Sequence, residues 1–154
     1  MTGVQTCALP IWVVSFEPDP HPLARLRANL KLNGFDWVET QQAALSAKTE
    51  TRKFFLHDDT IGNFANASLY AENVGANTPT MDMDVVALDD FIARNPPPRL
   101  DVIKLLAQGE EWNVLQGGRK TIEKYRPTVF FLYEPSYWHR QGLTVMDGVK
   151  YFGD

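Results

Sequence analysis

Four polar residues follow the ends of apolar, strand-like runs in this sequence. They are Glu17, Gln108, Glu111 and Glu134. Carboxylates and amides bind hydroxyl groups, and a carboxylate can also remove a proton from one. In open α/β sheets, ligands bind outside the carboxyl ends of the strands. The sequence therefore predicts that these four side chains face a ligand.

Glu17 has the most specific candidate role. A carboxylate at the end of the second strand of such a sheet commonly accepts hydrogen bonds from both ribose hydroxyls of a nucleotide cofactor. The alternative is structural: Glu17 caps the helix that begins near His21, or it lies solvated in the turn. Spacing alone favours neither interpretation.

The elements that would position these residues follow an α/β pattern. Continuous apolar runs at 12–16, 100–107 and 128–133 are typical of buried strands, and helical periodicity is found at 22–33 and 110–124. We also expect strands at 37–44, 52–56 and 81–88 and a short helix at 89–95, with a long irregular loop at 58–80. Strand–helix–strand units of this kind predict a doubly wound, mostly parallel sheet with helices on both faces.

Composition limits the class of protein. The 154 residues carry a net charge of −4 without a basic stripe, so nucleic acid is not an expected partner. No apolar run has the length of a membrane span. The single cysteine, Cys7, excludes a disulfide framework and a cysteine-based zinc site within the chain. A cytoplasmic location is the expectation.

We interpret residues 1–11 as a segment that does not belong to the native protein. Cys7-Ala8-Leu9-Pro10-Ile11 resembles a translated sequencing-library adapter, and such segments are set aside before fold reasoning. The alternative is an ordinary N-terminal coil. We expect 1–11 to be a non-native scar and 12–154 to be a partial domain whose first strand lies upstream.

Several motifs, in order, resemble the FkbM-type methyltransferases, a family of class I enzymes that use S-adenosylmethionine. Glu17-Pro18-Asp19-Pro20 with Leu32-Asn33-Gly34 is similar to the family's second strand and following helix. The remaining similar segments are Ala43-Ala44-Leu45-Ser46, Ala67-Ser68-Leu69, Ala87-Leu88-Asp89-Asp90 and Val114-Leu115-Gln116-Gly117-Gly118. The segment 103–111 resembles the family signature Ile-Lys-Ile-Asp-Val-Glu-Gly-Ala-Glu.

The resemblance implies a Rossmann-like methyltransferase domain, here without its first strand and glycine-rich turn. It implies S-adenosylmethionine as cofactor, with Glu17 at the ribose and Ala44 near the adenine. It also implies transfer of the methyl group to an oxygen, with Gln108, Glu111 and Glu134 facing a small-molecule, sugar or peptide acceptor. The fragment itself is expected to be inactive, since its cofactor pocket would be half built.

Two of the departures from the family signature affect its acidic residues. Leu106 and Gln108 stand where the family has Asp and Glu, and neither can act as a base. Read errors, a divergent subfamily and an inactive paralogue are open explanations. One rival hypothesis is therefore a non-catalytic α/β binding domain, and another is a nicotinamide-dependent oxidoreductase that shares the acid at Glu17.

Two weaker signals have structural alternatives. His57-Asp58-Asp59 could bind a metal ion, but a solvated loop is the favoured interpretation, and no metal site is expected. The aromatic segment 133–139 could line an acceptor pocket, although packing over the sheet end is favoured.

Overall fold

The computed structural model describes residues 12–56, 67–74 and 78–153. The chain divides into two compact units, Met1–Gln42 and Ala43–Asp154. The segment 1–11 and the possible metal ligands at 57–59 lie outside the described residues. Among the helices that the structure does describe, none is long and apolar enough to cross a membrane.

The first unit contains a parallel β–α–β motif. Strand β1 (Val13–Phe16) pairs in parallel with β2 (Val38–Gln41), and helix α1 (Pro20–Asn33) connects them. Prolines in the first turn suit α1 because the first N–H groups of a helix have no partner within it. The helix ends at Gly34, whose φ of 64° is the left-handed conformation that terminates helices.

The second unit begins with a three-stranded sheet. Its strands are β3 (Ala44–Ser46), β4 (Glu50–Phe55) and β5 (Thr80–Ala87), in the order β3-β5-β4. β3 runs parallel to β5, whereas β4 runs antiparallel to it. Buried side chains of this sheet form an apolar cluster together with Leu69 from the segment 67–74: Ala44, Phe54, Leu69, Met83 and Val85.

The remaining strands form a parallel pair. After helix α2 (Leu88–Arg94), β6 (Val102–Leu105) pairs with β7 (Thr128–Phe131). Two helices, α3 (Glu111–Gly117) and α4 (Arg119–Tyr125), connect these strands. The buried core on one side of the pair consists of Leu105, Val114 and Leu115.

The connection between β6 and β7 differs from the single helix predicted for 110–124, because the helix is interrupted at Gly118. A Cβ atom on Gly117 would lie 2.1 Å from the carbonyl oxygen of Ser46, and one on Gly118 would lie 2.8 Å from a methyl of Leu88. Gly117 therefore permits a close approach to the β3 backbone that a residue with a Cβ atom would prevent, whereas a Cβ atom at Gly118 would require the Leu88 side chain to shift.

Two short helices, α5 (Pro135–Arg140) and α6 (Val145–Gly153), end the chain. Trp138 of α5 is only 1% exposed, with its ring 5.7 Å from Phe131 and 5.6 Å from Trp112. For Trp138, the structure thus shows the packing role that was favoured for the aromatic segment.

The mixed α/β class is confirmed, but the strands form smaller sheets than expected. Within the described residues, the strands form three small sheets, and three of the four strand pairings are parallel. The predicted strand 37–44 is two strands separated by Gln42 and Ala43. The continuous doubly wound sheet stays a prediction.

Candidate functional site

The loop that follows β6, residues 106–110, is the centre of the candidate site and is called the β6 loop below. It begins with Leu106, which is 61% exposed, and turns sharply at Gln108 and Gly109, with φ of 50° and 101°. The Glu110 N–H closes the turn by donating to the Ala107 carbonyl over 3.1 Å. The loop therefore has a defined backbone geometry directly after a parallel strand.

Glu111 holds this turn with its side chain. One carboxylate oxygen accepts the Ala107 N–H at 2.7 Å and the other accepts the Gly109 N–H at 3.0 Å. Glu111 is 1% exposed, so the two hydrogen bonds satisfy a buried charge. The Glu111 carboxylate therefore fixes the backbone of the β6 loop by accepting two of its N–H groups.

Gln108 reaches towards α5. Its side-chain oxygen accepts a hydrogen bond from the Tyr137 hydroxyl at 3.3 Å. Its backbone carbonyl accepts from Asn73 at 2.7 Å and from Ser68 at 3.2 Å. Gln108 is half-buried and thus connects three separate segments of the second unit.

Glu134 follows β7 as Gln108 follows β6. Leu105 and Phe131 are in register at the ends of two parallel strands. Gln108 and Glu134, which follow them, therefore lie beyond the same edge of that sheet. The Glu134 carboxylate accepts the Ser136 N–H at 3.3 Å and caps α5, which carries Tyr137. The structure therefore brings Gln108, Glu111 and Glu134 to one end of the β6–β7 pair.

Ala44 lies elsewhere in the same unit. It is 8% exposed, in register with Val85 of β5, and its methyl group belongs to the apolar cluster of the three-stranded sheet. Its side chain is therefore part of the buried core of this sheet and has no polar atom.

Glu17 lies in the first unit, directly after β1. Its Oε1 atom accepts the Asp19 N–H at 2.9 Å, and Asp19 in turn accepts the His21 N–H as the cap of α1. Asp19 rather than Glu17 thus caps the helix, which removes one of the structural alternatives. Burial raises the pKa of the Glu17 carboxyl, and the charge of Asp19 adds to this effect, while the Asp19 N–H opposes it.

A second polar cluster was not anticipated from the sequence, and it centres on Glu110. This residue is 2% exposed, and its carboxylate accepts hydrogen bonds from Ser46 at 2.9 Å, Arg52 at 2.8 Å and Asn113 at 2.8 Å. The one signal in the sequence is an acid where the family signature has Ala. Its partners are distant along the chain, so no local pattern indicates them.

Tyr70 completes this Glu110 cluster. Its hydroxyl accepts from Asn113 at 3.1 Å and donates to Glu110. Burial, followed by the negative charge of Glu110, raises the pKa of Tyr70 to about 12. The phenol is therefore neutral at physiological pH and serves as a hydrogen-bond donor.

The described residues contain no group of three or more His, Cys, Asp or Glu side chains that could hold a metal ion. The ionisable side chains around the β6 loop are instead bound to protein donors, as Glu110 and Glu111 show. The arrangement offers hydrogen-bonding groups at a strand end rather than a ligand set for a metal.

Comparison with known proteins identifies the family. The family model for the methyltransferase FkbM domain matches residues 5–148. No curated protein and no solved structure shows a significant match to the chain. The family match spans both units and includes every strand and helix from β1 to α5. The chain therefore belongs to the FkbM-domain methyltransferases.

Proposed function

We propose that the full-length protein transfers a methyl group from S-adenosylmethionine to a hydroxyl oxygen of a small-molecule, sugar or peptide acceptor. The observation that carries the proposal is the family match over residues 5–148. The placement of Gln108 and Glu134 beyond one edge of a parallel strand pair supports it, since ligands of α/β proteins bind at such edges.

Two residues, each considered within its own unit, are the proposed cofactor contacts: Glu17 and Ala44. Glu17 suits ribose hydroxyls because its carboxylate is partly desolvated at a strand end, which strengthens charge-assisted hydrogen bonds. Ala44 is proposed to lie near the adenine on the family resemblance alone, because its methyl group is buried in the apolar cluster of the three-stranded sheet. When bound, S-adenosylmethionine supplies an activated methyl group on a sulfonium. This proposal includes a doubly wound, mostly parallel sheet.

The acceptor would be oriented by Gln108 and Glu134. S-adenosylmethionine would supply its methyl group to the acceptor oxygen and leave as S-adenosylhomocysteine, and the hydroxyl proton would pass to a base or to water. Protein contributes chiefly by aligning donor and acceptor. Glu134 is the candidate base, because Gln108 cannot take up a proton and both Glu111 oxygens already accept N–H groups. Glu111 would act by shaping the β6 loop.

Calorimetric titration of the full-length protein with S-adenosylmethionine tests the proposal, with NAD as the comparison ligand. We expect binding of S-adenosylmethionine only. Glu17→Ala should weaken binding at least about tenfold, because it removes the acceptor for two ribose hydroxyls. Glu39→Ala, which removes an exposed carboxylate from β2, is the matched control.

Release of S-adenosylhomocysteine in the presence of hydroxyl-bearing acceptors is the second measurement. Small alcohols, sugars and Ser- or Thr-containing peptides separate the acceptor classes. Binding without turnover on all three classes would indicate a non-catalytic domain. Binding of NAD instead of S-adenosylmethionine would refute the proposal.

A further inference from the structure

Gln108 has a backbone conformation that needs external support. Two non-glycine residues of the described chain have a positive φ, Gln108 at 50° and Arg126 at 49°. Arg126 terminates α4, where a left-handed residue is common. Gln108 terminates no helix, and a residue with a Cβ atom adopts this region at an energetic cost.

Asn73 supplies that support from a different segment. Its Nδ2 atom donates to the Gln108 carbonyl at 2.7 Å and to the Ser68 hydroxyl at 3.0 Å. The Ser68 hydroxyl donates to the same carbonyl at 3.2 Å. The Gln108 carbonyl is thereby held by two donors from residues 67–74, which include the 3₁₀ turn Ala71–Asn73.

The other end of the Asn73 amide binds α5. Its Oδ1 atom accepts from Nη2 of Arg140 at 2.7 Å, and the Arg140 guanidinium lies 5.1 Å from the centre of the Tyr137 ring. Tyr137 donates to the Gln108 side chain. The Asn73 amide nitrogen thus donates to the Gln108 backbone, and the amide oxygen accepts from Arg140 of α5. The same helix carries Tyr137, which contacts the Gln108 side chain. Asn combines both functions, whereas Asp lacks the donor.

We propose that Asn73 is a positioning residue for acceptor binding, acting by holding the backbone of Gln108 while it anchors α5 through Arg140. The inference rests on the proposed function, since it assumes that Gln108 faces the acceptor. Asn73 itself is not placed in contact with the acceptor.

The test compares Asn73→Asp with Asn33→Asp in the full-length protein. Both replace an amide that donates to a backbone carbonyl over 2.7 Å, but Asn33 bonds to Asn29 on α1, away from the β6 loop. We expect Asn73→Asp to raise KM for the acceptor about tenfold, because a partly buried amide–carbonyl hydrogen bond is replaced by two oxygens that face each other. The affinity for S-adenosylmethionine should not change, and Asn33→Asp should change neither quantity.

A double-mutant cycle with Gln108→Gly separates positioning from general structural damage. Glycine adopts a positive φ freely and carries no side chain for the acceptor. In the Gln108→Gly background, Asn73→Asp should therefore have little further effect on KM. An equal effect in both backgrounds would overturn the proposal.

Hydrogen exchange distinguishes failure of this inference from failure of the proposed function. Asn73→Asp should accelerate exchange of the Gly109 N–H, and unchanged exchange would refute the positioning role. A wild-type protein without methyl transfer or S-adenosylmethionine binding would refute the proposed function and, with it, the catalytic part of this inference. If Asn73→Asp does not fold, Arg140→Met removes the exposed half of the network, and an unchanged KM would then overturn the proposal.

Discussion

The Nη1 atom of Arg52 lies 2.8 Å from Oε1 of Glu110, which joins β4 to the residue that precedes α3. The Glu110 side chain is 2% exposed and that of Arg52 is 28% exposed, so the acid depends on this cation more than the cation depends on the acid. Ser46 and Asn113 complete the hydrogen bonding of the carboxylate. The buried carboxylate at the end of the β6 loop thereby has partners on three other elements, β3, β4 and α3.

Arg52→Met should lower the free energy of unfolding by about 3 kcal/mol, because it leaves a buried carboxylate without its counter-charge. Adding Glu110→Gln should restore most of this loss, since the charge is then removed as well. Arg99→Met breaks an exposed pair with Asp101 and should cost much less, because solvent screens that pair. Urea unfolding of the three variants gives these values, and equal losses for Arg52→Met and Arg99→Met would contradict the expectation.

Gly117→Ala should destabilise the protein by about 1–3 kcal/mol or more, although Ala is intrinsically the better helix former by about 1 kcal/mol. The new methyl group would lie 2.1 Å from the Ser46 carbonyl oxygen and 3.0 Å from the Ala47 Cα atom. Both are backbone atoms, which cannot move aside as the end of a side chain can. Gly153→Ala adds a methyl group in open space near the end of α6 and is the matched control. Thermal melts compare the two variants. An unchanged melting temperature for Gly117→Ala would mean that α3 and β3 can move apart without loss of stability.

Tyr70 should make stability decrease at high pH. Its pKa in the folded protein is about 12, against an ordinary value of 10.0, so the folded state favours the protonated phenol. The corresponding stabilisation is complete below pH 10 and is lost as the pH rises through 12. Tyr70→Phe should flatten the decline in the free energy of unfolding over this interval.

Tyrosinate absorbance provides the independent readout for Tyr70. Tyr151 is a second late-titrating group, since burial raises its pKa to about 12. Tyr70→Phe and Tyr151→Phe should each remove part of the late absorbance change. Ionisation of Tyr70 near pH 10 would show that its burial against Glu110 is incorrect.

Glu17→Gln should increase thermal stability near neutral pH while weakening S-adenosylmethionine binding. Burial raises the pKa of Glu17, so its ionised form is disfavoured in the folded protein, and this penalty appears as the pH rises through the folded-state pKa. The gain should shrink below the ordinary pKa of 4.5, where the wild-type side chain is protonated too. Glu39→Gln is the exposed control. If Glu17→Gln instead lowered the melting temperature at neutral pH, the ionised Glu17 side chain would stabilise the fold, and a purely structural role would explain it.

Leu106→Asp combined with Gln108→Glu should raise methyl transfer about 100-fold, at the low end of what a general base contributes. The 61% exposure of Leu106 leaves a new carboxylate in water, so Leu106→Asp should change stability by less than about 0.5 kcal/mol. Leu106→Asn is the uncharged control of the same shape. S-adenosylhomocysteine release and a thermal melt are measured together, and a stable double variant without a gain in rate would exclude a catalytic role for these positions.

Local physical chemistry was sufficient to predict many of the elements. Prolines at the start of α1 and Gly34 at its end set the limits of that helix, and the apolar runs predicted the positions of β1, β6 and β7. The ordered motifs predicted the family that the match over residues 5–148 confirms. These features depend on neighbours along the chain, which a sequence displays directly.

Only the tertiary structure decided how distant residues combine. Glu110 and Arg52 are 58 residues apart, and nothing in either local pattern indicates that they meet. The break at Gly118 depends on the approach of α3 and α4 to β3 and α2, and the support of Gln108 depends on Asn73, which is 35 residues away. Strand pairing likewise joined β4 to β5 in an antiparallel sense within a mostly parallel fold. Such contacts are set by packing and by the need to satisfy buried polar groups, and both depend on residues that are remote in sequence.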